Sequence, residues 1–387
     1  MTVAKTKRLG IFIVPLFLAL LATGSTPITS TNLLSSRRTE PDTVVSTLTM
    51  VFSGDIMAHD VNLSRRPYKN IYAGIRKYLA YADLRFANLE FVVDPASPNS
   101  GYPRFNAPPK YVSAALDAGF NVLSLANNHS HDIGAASMLQ TLRSVALLGI
   151  GRDIYYNGIH FQPEEQFTQT IIRRNGCKIG FLAVTSFLNK LVTDERVNVV
   201  PFYRKWAEEA LIDRVQALAK EVDVFVLSYH GGVEYAREIP AWKRLFFRRL
   251  VQAGVDILWS HHPHVVQTWE TLEFEGSQKL ILYSTGNLIS GQTWNINPAD
   301  PFSERLGTGE GALFYVELIL RDGGWRIVRT HAVPIANYQD PDYGMVVVPF
   351  KDLPSMKISD IWKQYYRDRY EELKGKLIDT GSWGFDL

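Results

Sequence analysis

One cysteine, Cys177, stands in the 387 residues, so neither an intrachain disulfide nor a thiolate-based zinc site is available. Any metal must be held by His, Asp, Glu or Asn. A strong charge excess is also lacking. The 41 Lys and Arg face 39 Asp and Glu, which argues against nucleic acid as a partner, since binding along a phosphate backbone calls for a basic surplus. Charged residues are only 21% of the chain and hydrophobic ones 46%. Disorder is thereby excluded as the general state, and there is apolar material for one large domain or two ordinary ones. The uncharged run over residues 9–22, broken by Pro15, falls short of the roughly 20 residues that span a bilayer.

That run nevertheless has a meaning. Lys5, Lys7 and Arg8 precede it, and the small residues Ala22, Thr23 and Gly24 close it, which is the order of an export signal. Residues 1–24 are expected to be a signal peptide, or an anchor if uncleaved. Residues 25–46, rich in Ser, Thr and Pro, read as a linker. The folded part is expected to work outside the cytoplasm, in the cell envelope, with the amino-terminal segment as its contact with the membrane.

From residue 47 onward, short β-branched or aromatic runs alternate with amphipathic stretches, the signature of an α/β fold. Strands are expected over 48–53, 84–88, 121–125, 222–229, 255–260 and 279–284, and helices over 71–82, 110–118, 135–147, 206–220 and 241–253. Asn175-Gly176 and the segment 321–324 each separate two strand-like runs and predict hairpins. Residues 359–377 read as a surface helix.

Seven of the nine histidines (His59, His129, His131, His230, His261, His262 and His264) fall at or just after the carboxyl ends of these strands, where open α/β sheets place their ligands. Acidic and amide residues accompany them: Asp55, Glu90, Asn127, Asn128 and Asp132. Each has an ordinary explanation when taken alone. Asp55 can cap a helix, Asn127-Asn128 can make a turn, and a histidine among apolar residues is commonly a hydrogen-bonded core imidazole. Convergence of five such strand ends in one sheet points instead to a metal site. Imidazoles and carboxylates without thiolate suit one or two ions of Mn, Fe or Zn in preference to Mg or Ca.

The motifs are Gly54-Asp55-Ile56-Met57, Ala87-Asn88-Leu89-Glu90, the run 118–132 ending in Asn127-Asn128-His129-Ser130-His131-Asp132, His230-Gly231-Gly232-Val233-Glu234-Tyr235, His261-His262-Pro263-His264-Val265-Val266-Gln267 and Ser284-Thr285-Gly286-Asn287. In this order they resemble the CapA-type family of capsule-biosynthesis (poly-γ-glutamate synthesis) proteins, whose domain is similar to the calcineurin-like metallophosphoesterases. The resemblance covers about residues 47–337 and leaves 338–387 as a carboxyl-terminal extension. It implies a four-layer α-β-β-α sandwich with mixed sheets. Carried over residue by residue, it implies Asp55, Glu90, Asn128, His230, His262 and His264 as metal ligands, with Glu90 bridging. It also implies His129 as the acid for a leaving oxygen, oriented by Asp132, and Glu234 and Asn287 as substrate or supporting contacts. Ser260 stands where the family commonly has glycine, expected as a local packing change, and two further departures stand out: Gly231 where the family commonly has tryptophan, expected to widen the pocket, and Met57 where related dinuclear enzymes carry a histidine. His59 is the candidate to replace that imidazole.

Two functions of different class follow. One is an exported metal-dependent hydrolase, a phosphoesterase by preference, acting on an envelope polymer or phosphorylated precursor. The other is a non-catalytic component that binds an anionic polymer within a membrane-bound capsule-synthesis complex. The Gly-, Pro- and Asn-rich segment 290–311 reads equally as a lid or a surface excursion, and its Arg305 is a candidate for meeting an anionic substrate.

Overall fold

A computed structural model describes residues 46–65, 67–190, 194–300, 302–303 and 305–377. The expected export segment, and the linker up to residue 45, lie outside the described residues. Ser46, placed in the linker from sequence, opens the first strand.

The strands in chain order are β1 (Ser46–Ile56), β2 (Leu84–Leu89), β3 (Val122–Ser124), β4 (Tyr155–Asn157), β5 (Thr170–Arg174), β6 (Cys177–Thr185), β7 (Val224–His230), β8 (Ile257–His261), β9 (Trp269–Phe274), β10 (Ser277–Leu282), β11 (Asn287–Ile289), β12 (Glu310–Arg321), β13 (Gly324–Asp340) and β14 (Gly344–Pro349). The helices are α1 (Asp60–Leu63), α2 (Arg76–Leu79), α3 (Pro109–Ala118), α4 (Ala135–Leu148), α5 (Lys205–Ala219), α6 (Ala241–Gln252) and α7 (Asp360–Leu377). One sheet has the order β14-β13-β12-β1-β2-β3-β4, with β11 added beside the end of β1; the other has the order β5-β6-β7-β8-β10-β9. Both are mixed. Strands β1 to β4 run parallel, as do β6, β7, β8 and β10, while antiparallel partners continue the sheets beyond β1, β6 and β10.

Alternation along the strands builds the layers. Leu48, Met50 and Phe52 of β1 face Ile179, Phe181, Val226, Ile257 and Trp259 in a core between the sheets. Val51, on the opposite face of β1, joins a second core with Tyr111 of α3 and Met138 and Leu142 of α4. A third core packs Leu211 and Val215 of α5 and Phe247 and Leu250 of α6 onto Leu227 and Leu258 of the second sheet. The result is the expected α-β-β-α sandwich. Phe52 stacks on Phe86 at 4.4 Å, and Trp259 lies against both; each such fully buried ring contributes roughly 1.5–3 kcal/mol. Polar bonds also join the sheets near their carboxyl ends. Trp259 Nε1 donates to Ser53 O at 2.9 Å, and Ser228 Oγ donates to Ser124 Oγ at 3.0 Å.

Three expectations need correction. The helix over 71–82 is broken into a 3₁₀ turn at Tyr68–Tyr72 and the short α2. Its Gly74 lies so close to β14 that a Cβ there would sit 2.7 Å from Val347 O, so the chain follows the sheet edge instead of continuing a cylinder. The boundary at 337 falls inside β13, and β14 extends the same sheet. The helix expected at the surface, α7, buries Tyr365, Tyr366, Arg369, Leu373 and Leu377. Both hairpins form, with Asn175-Gly176 and Asp322-Gly323 at positive φ in the two-residue loops that match strand twist.

Candidate metal centre

The carboxyl ends of β1, β2, β7 and β8, with the loops after β3 and β8, bring the polar residues together. β1 reaches this point through Gly54, where a Cβ would lie 1.7 Å from Gly286 O. Only glycine allows the approach that lets Asp55 N donate to Gly286 O at 3.1 Å. Beyond β8, His262 and His264 take φ values of 101° and 58°, a region that L-residues enter at a cost of about 1–3 kcal/mol and that concentrates at functional sites. The strain aims both rings back at Asp55 and Glu90.

Two groups of three donors result: Asp55, His230 and His261, and Glu90, His262 and His264. All six side chains are buried. In each group, one donor atom per residue lies within 4.8 Å of the others, a set compatible with a divalent cation. His264 Nδ1 is 3.1 Å from Asp55 Oδ2 and 3.0 Å from Asn287 Oδ1, while its Nε2 is 3.7 Å from Glu90 Oε1. Glu90 Oε1 and His262 Nδ1 are buried and find no hydrogen-bond partner among the described residues. Orphaned buried acceptors are costly, and here they belong to two residues of one donor group, which is what a cation site needs.

The electrostatics follow from burial and neighbours. Burial raises the Asp55 carboxyl, but its hydrogen bond to His264 and the charges of His264 and His261 outweigh that and bring it to about 2. Burial and then the Asp55 charge push Glu90 well above the usual carboxylate range. Burial lowers His230 and His262 well below their usual value and His261 to about 4. For His264, burial pulls down, but the bond to Asp55 and its charge carry it above the usual value. Most of these rings are therefore neutral at pH 7, the form in which imidazole binds metal.

His129 sits beside this cluster, with Nδ1 2.7 Å from Asp132 Oδ2. The same carboxylate oxygen accepts Phe105 N–H at 2.8 Å. His129 lies close enough for its charge to act on His230 and His262. Asn128, expected as a ligand, turns Oδ1 to within 2.7 Å of His230 Nε2, and that nitrogen lies 3.5 Å from Glu90 Oε1. Asn287, expected as a substrate or supporting contact, is fully buried. Its Nδ2 donates to Gln292 Oε1 and Thr308 O while Oδ1 faces His264, which commits it to holding that ring. Glu234 is exposed and lines a cavity of about 500 Å³ with Tyr235, Arg237, Phe302 and Ser303. Arg305 lies over the Tyr235 ring at 5.3 Å, at the same rim.

The two departures resolve differently from expectation. A Cβ at Gly231 would meet Ser186 Oγ at 2.2 Å, so glycine here reflects close packing and not a widened pocket. Met57 is buried in the core outside the first sheet. His59 does not replace it: its Nδ1 accepts Gly291 N–H at 3.1 Å and its ring lies edge-on to Phe105.

Four residues with a part in the site were not assigned one from sequence. Asn88 Nδ2 donates to Asp55 Oδ1 at 2.8 Å and to Glu90 Oε2 at 3.2 Å. It stands two residues before Glu90, so strand alternation already placed both on one face. His261 shares the inward face of β8 with Trp259 by the same rule. Asn189, whose amide contacts both Asn128 and His129, had no local signal. Nor had Lys243, whose buried ammonium donates to Gly231 O and Tyr283 O, each at 3.0 Å, and is lowered by burial to about 7.

A sandwich of two mixed sheets between helices, carrying paired histidine–carboxylate groups at its strand ends, defines an α/β protein with a candidate dinuclear metal centre. Residues 49–292 match the family described as bacterial capsule synthesis protein PGA_cap, and the chain belongs to that family. It is 27% identical over 299 residues to the capsule biosynthesis protein CapA of Bacillus anthracis, an alignment covering 73% of this chain and 66% of that protein. It is 30% identical over 183 residues to the PGA biosynthesis protein CapA of Bacillus subtilis strain 168, covering 47% and 46%. The chain thus spans slightly under two thirds of the first relative and about half of the second. Among solved structures, it is similar to a hypothetical protein from Thermus thermophilus, with a TM-score of 0.44, 14% identity and coverage of 74% of this chain and 98% of that one. It is also similar to the calcineurin-like phosphoesterase YfkN from Bacillus subtilis, with a TM-score of 0.42, 14% identity and coverage of 85% and 99%.

Proposed function

We propose that this chain is an exported, metal-dependent hydrolase of capsule assembly that cleaves a phosphoester in an envelope polymer or a phosphorylated precursor. The observation that carries the reading is the juxtaposition of the two buried donor groups with the His129–Asp132 pair. Asp55 with His230, and Glu90 with His262 and His264, would hold the cations, with Asn128 and Asn88 fixing the orientation of His230, Asp55 and Glu90. A bound cation pair would polarise a phosphoryl oxygen and activate water.

The chain's own residues supply the rest. Asp132 accepts from His129 Nδ1 and stabilises the charge when His129 also carries a proton at Nε2. That proton is then available to a leaving oxygen, as general acid catalysis requires. A pure binding clamp has no use for a buried histidine–carboxylate pair beside its donors, which favours turnover over binding alone. Glu234 and Arg305 at the rim are candidates for substrate contact, Arg305 meeting the anionic part. Among the described residues, no helix is long and apolar enough to cross a membrane; the segment at residues 9–22, if uncleaved, would be the membrane attachment.

The test is a substrate panel of phosphomonoester, phosphodiester and γ-glutamyl amide, offered to purified protein loaded with Mn²⁺, Zn²⁺ or Fe²⁺. Metal-dependent release from a phosphoester is expected. Tight retention of anionic polymer with no turnover on any member of the panel would replace the hydrolase with the polymer-binding component.

A further inference from the structure

We propose that Lys243 is a positioning residue of the metal centre, its amine pinning the chain that leaves β7 to the chain that leaves β10. This deepens the reading above and rests on the centre holding metal.

Lys243 falls on the buried face of α6, in the three-to-four spacing it shares with Phe246, Phe247 and Leu250, where the pattern calls for an apolar residue. It is fully buried. An amine is costly to bury, so its presence on that face is explained by the two main-chain carbonyls it joins, Gly231 O and Tyr283 O, each at 3.0 Å. The stem is held in place by aromatic rings: Nζ lies 5.3 Å from the centre of the Phe247 ring, which stacks on Tyr283 at 5.6 Å.

The two carbonyls follow strands that are not neighbours. In the second sheet β8 lies between β7 and β10, and the loop after β8 carries His262 and His264. The amine therefore bridges across the exit of β8. A Cβ at Gly232 would lie 3.2 Å from Nζ and 3.6 Å from Pro263 Cγ, so the amine, the turn after β7 and the proline between the two histidines are packed together.

Each end of the bridge leads to donors. Gly231 directly follows His230. Tyr283 opens the segment in which Gly286 O accepts Asp55 N–H at 3.1 Å and Asn287 Oδ1 lies 3.0 Å from His264 Nδ1. Asp55 and His230 stand in one donor group and His264 in the other, so one amine sets how the two groups stand to each other. Protonated or neutral, it has the two N–H groups the bridge needs. A lysine that only secured α6 to the sheet would leave the donors in place when removed.

The experiment compares full-length wild type, Lys243→Met and Lys243→Gln by calorimetric Mn²⁺ titration and by the visible absorption of the Co²⁺-loaded protein, which reports ligand geometry without turnover. Melting curves of the metal-free proteins set a temperature at which each is folded. Methionine keeps most of the stem and removes the donors. It should weaken Mn²⁺ binding by roughly 10- to 100-fold, the scale for loss of a group that orients ligands, and change the Co²⁺ absorption. Glutamine keeps a donor on a stem one atom shorter and should fall between methionine and wild type in both measurements. Wild-type affinity and absorption in the folded Met variant, or equal losses in Met and Gln, would overturn the proposal and leave the hydrolase reading standing. Should the Met variant not fold, the Gln variant decides alone: weakened binding with altered absorption supports the bridge, and wild-type values overturn it. Absence of Mn²⁺ and Co²⁺ binding in wild type would overturn the metal centre itself, and the bridge with it.

Discussion

Arg369→Met is the substitution whose cost can be worked most fully from the structure. Arg369 projects from α7, with Nε 2.6 Å from Glu310 Oε1 and Nη2 3.1 Å from Glu310 Oε2, and it also meets Glu372. Both partners of the main pair are buried, and although burial lowers the guanidinium pKa, the Glu310 charge more than compensates and raises it. Glu310 opens β12 at Gly311, which bridges to Gly286. Two residues earlier, Thr308 O accepts from the Asn287 amide that holds His264. Methionine keeps most of the stem's packing but strands the Glu310 carboxylate, and breaking a buried pair on one side costs about 3–5 kcal/mol. With an unfolding entropy near 0.7 kcal/mol per degree for a body of this size, the melting temperature should fall by about 4–7 °C. Adding Glu310→Gln removes the stranded charge and should recover most of the loss. Calorimetric melting of both variants at pH 7 is the assay. Equal destabilisation of single and double variants would show that lost packing, and not an uncompensated charge, sets the cost.

Other outcomes are expected of the site. Asp55→Ala and His262→Ala should each lower bound metal with the fold retained, because the cores are built from the strands and not from their ends; full metal by elemental analysis in both would refute the ligand assignment. His129→Ala should keep its metal and lose turnover by roughly 10² or more, with Asp132→Asn between it and wild type, as steady-state kinetics would show. The metal-free protein should be acid-labile above the carboxylate range. His261 falls from 6.5 to about 4 in the folded state, so below pH 6.5 the unfolded chain takes up the proton first and stability declines with falling pH until about pH 4. That ring alone should remove about 2 kcal/mol by pH 5. Urea midpoints that are flat between pH 7.5 and 5 would contradict it.

Much of this was legible in residue order, because strand ends are marked by the change from apolar alternation to glycine, amide and histidine. Asp55, Glu90, His230, His261, His262 and His264 could be gathered for that reason, and the family resemblance chose the ligands among them. What escaped depends on distance through space. Asn287 reads as either a substrate or a supporting contact until Gln292, Thr308 and His264 are seen to consume its amide. Gly231 reads as an opening until Ser186 is found against it. The charges of Arg369 made α7 look solvent-facing, since the partner that neutralises one of them lies 59 residues away on β12. The pairing of His262 with His264 around Pro263 is the simpler local pattern, whereas strand alternation turns His261 to the same side as Trp259.

The central claim is that the buried donors hold cations that serve hydrolysis. It is tested most directly by measuring metal content and phosphodiester turnover on one preparation as purified, after chelation, and after stepwise return of Mn²⁺ or Zn²⁺. Turnover that vanishes with the metal and returns in proportion to occupancy, while His129→Ala regains the metal but not the activity, is the predicted result. Full occupancy with no metal-dependent cleavage of any phosphoester, or turnover indifferent to chelation, would contradict the account.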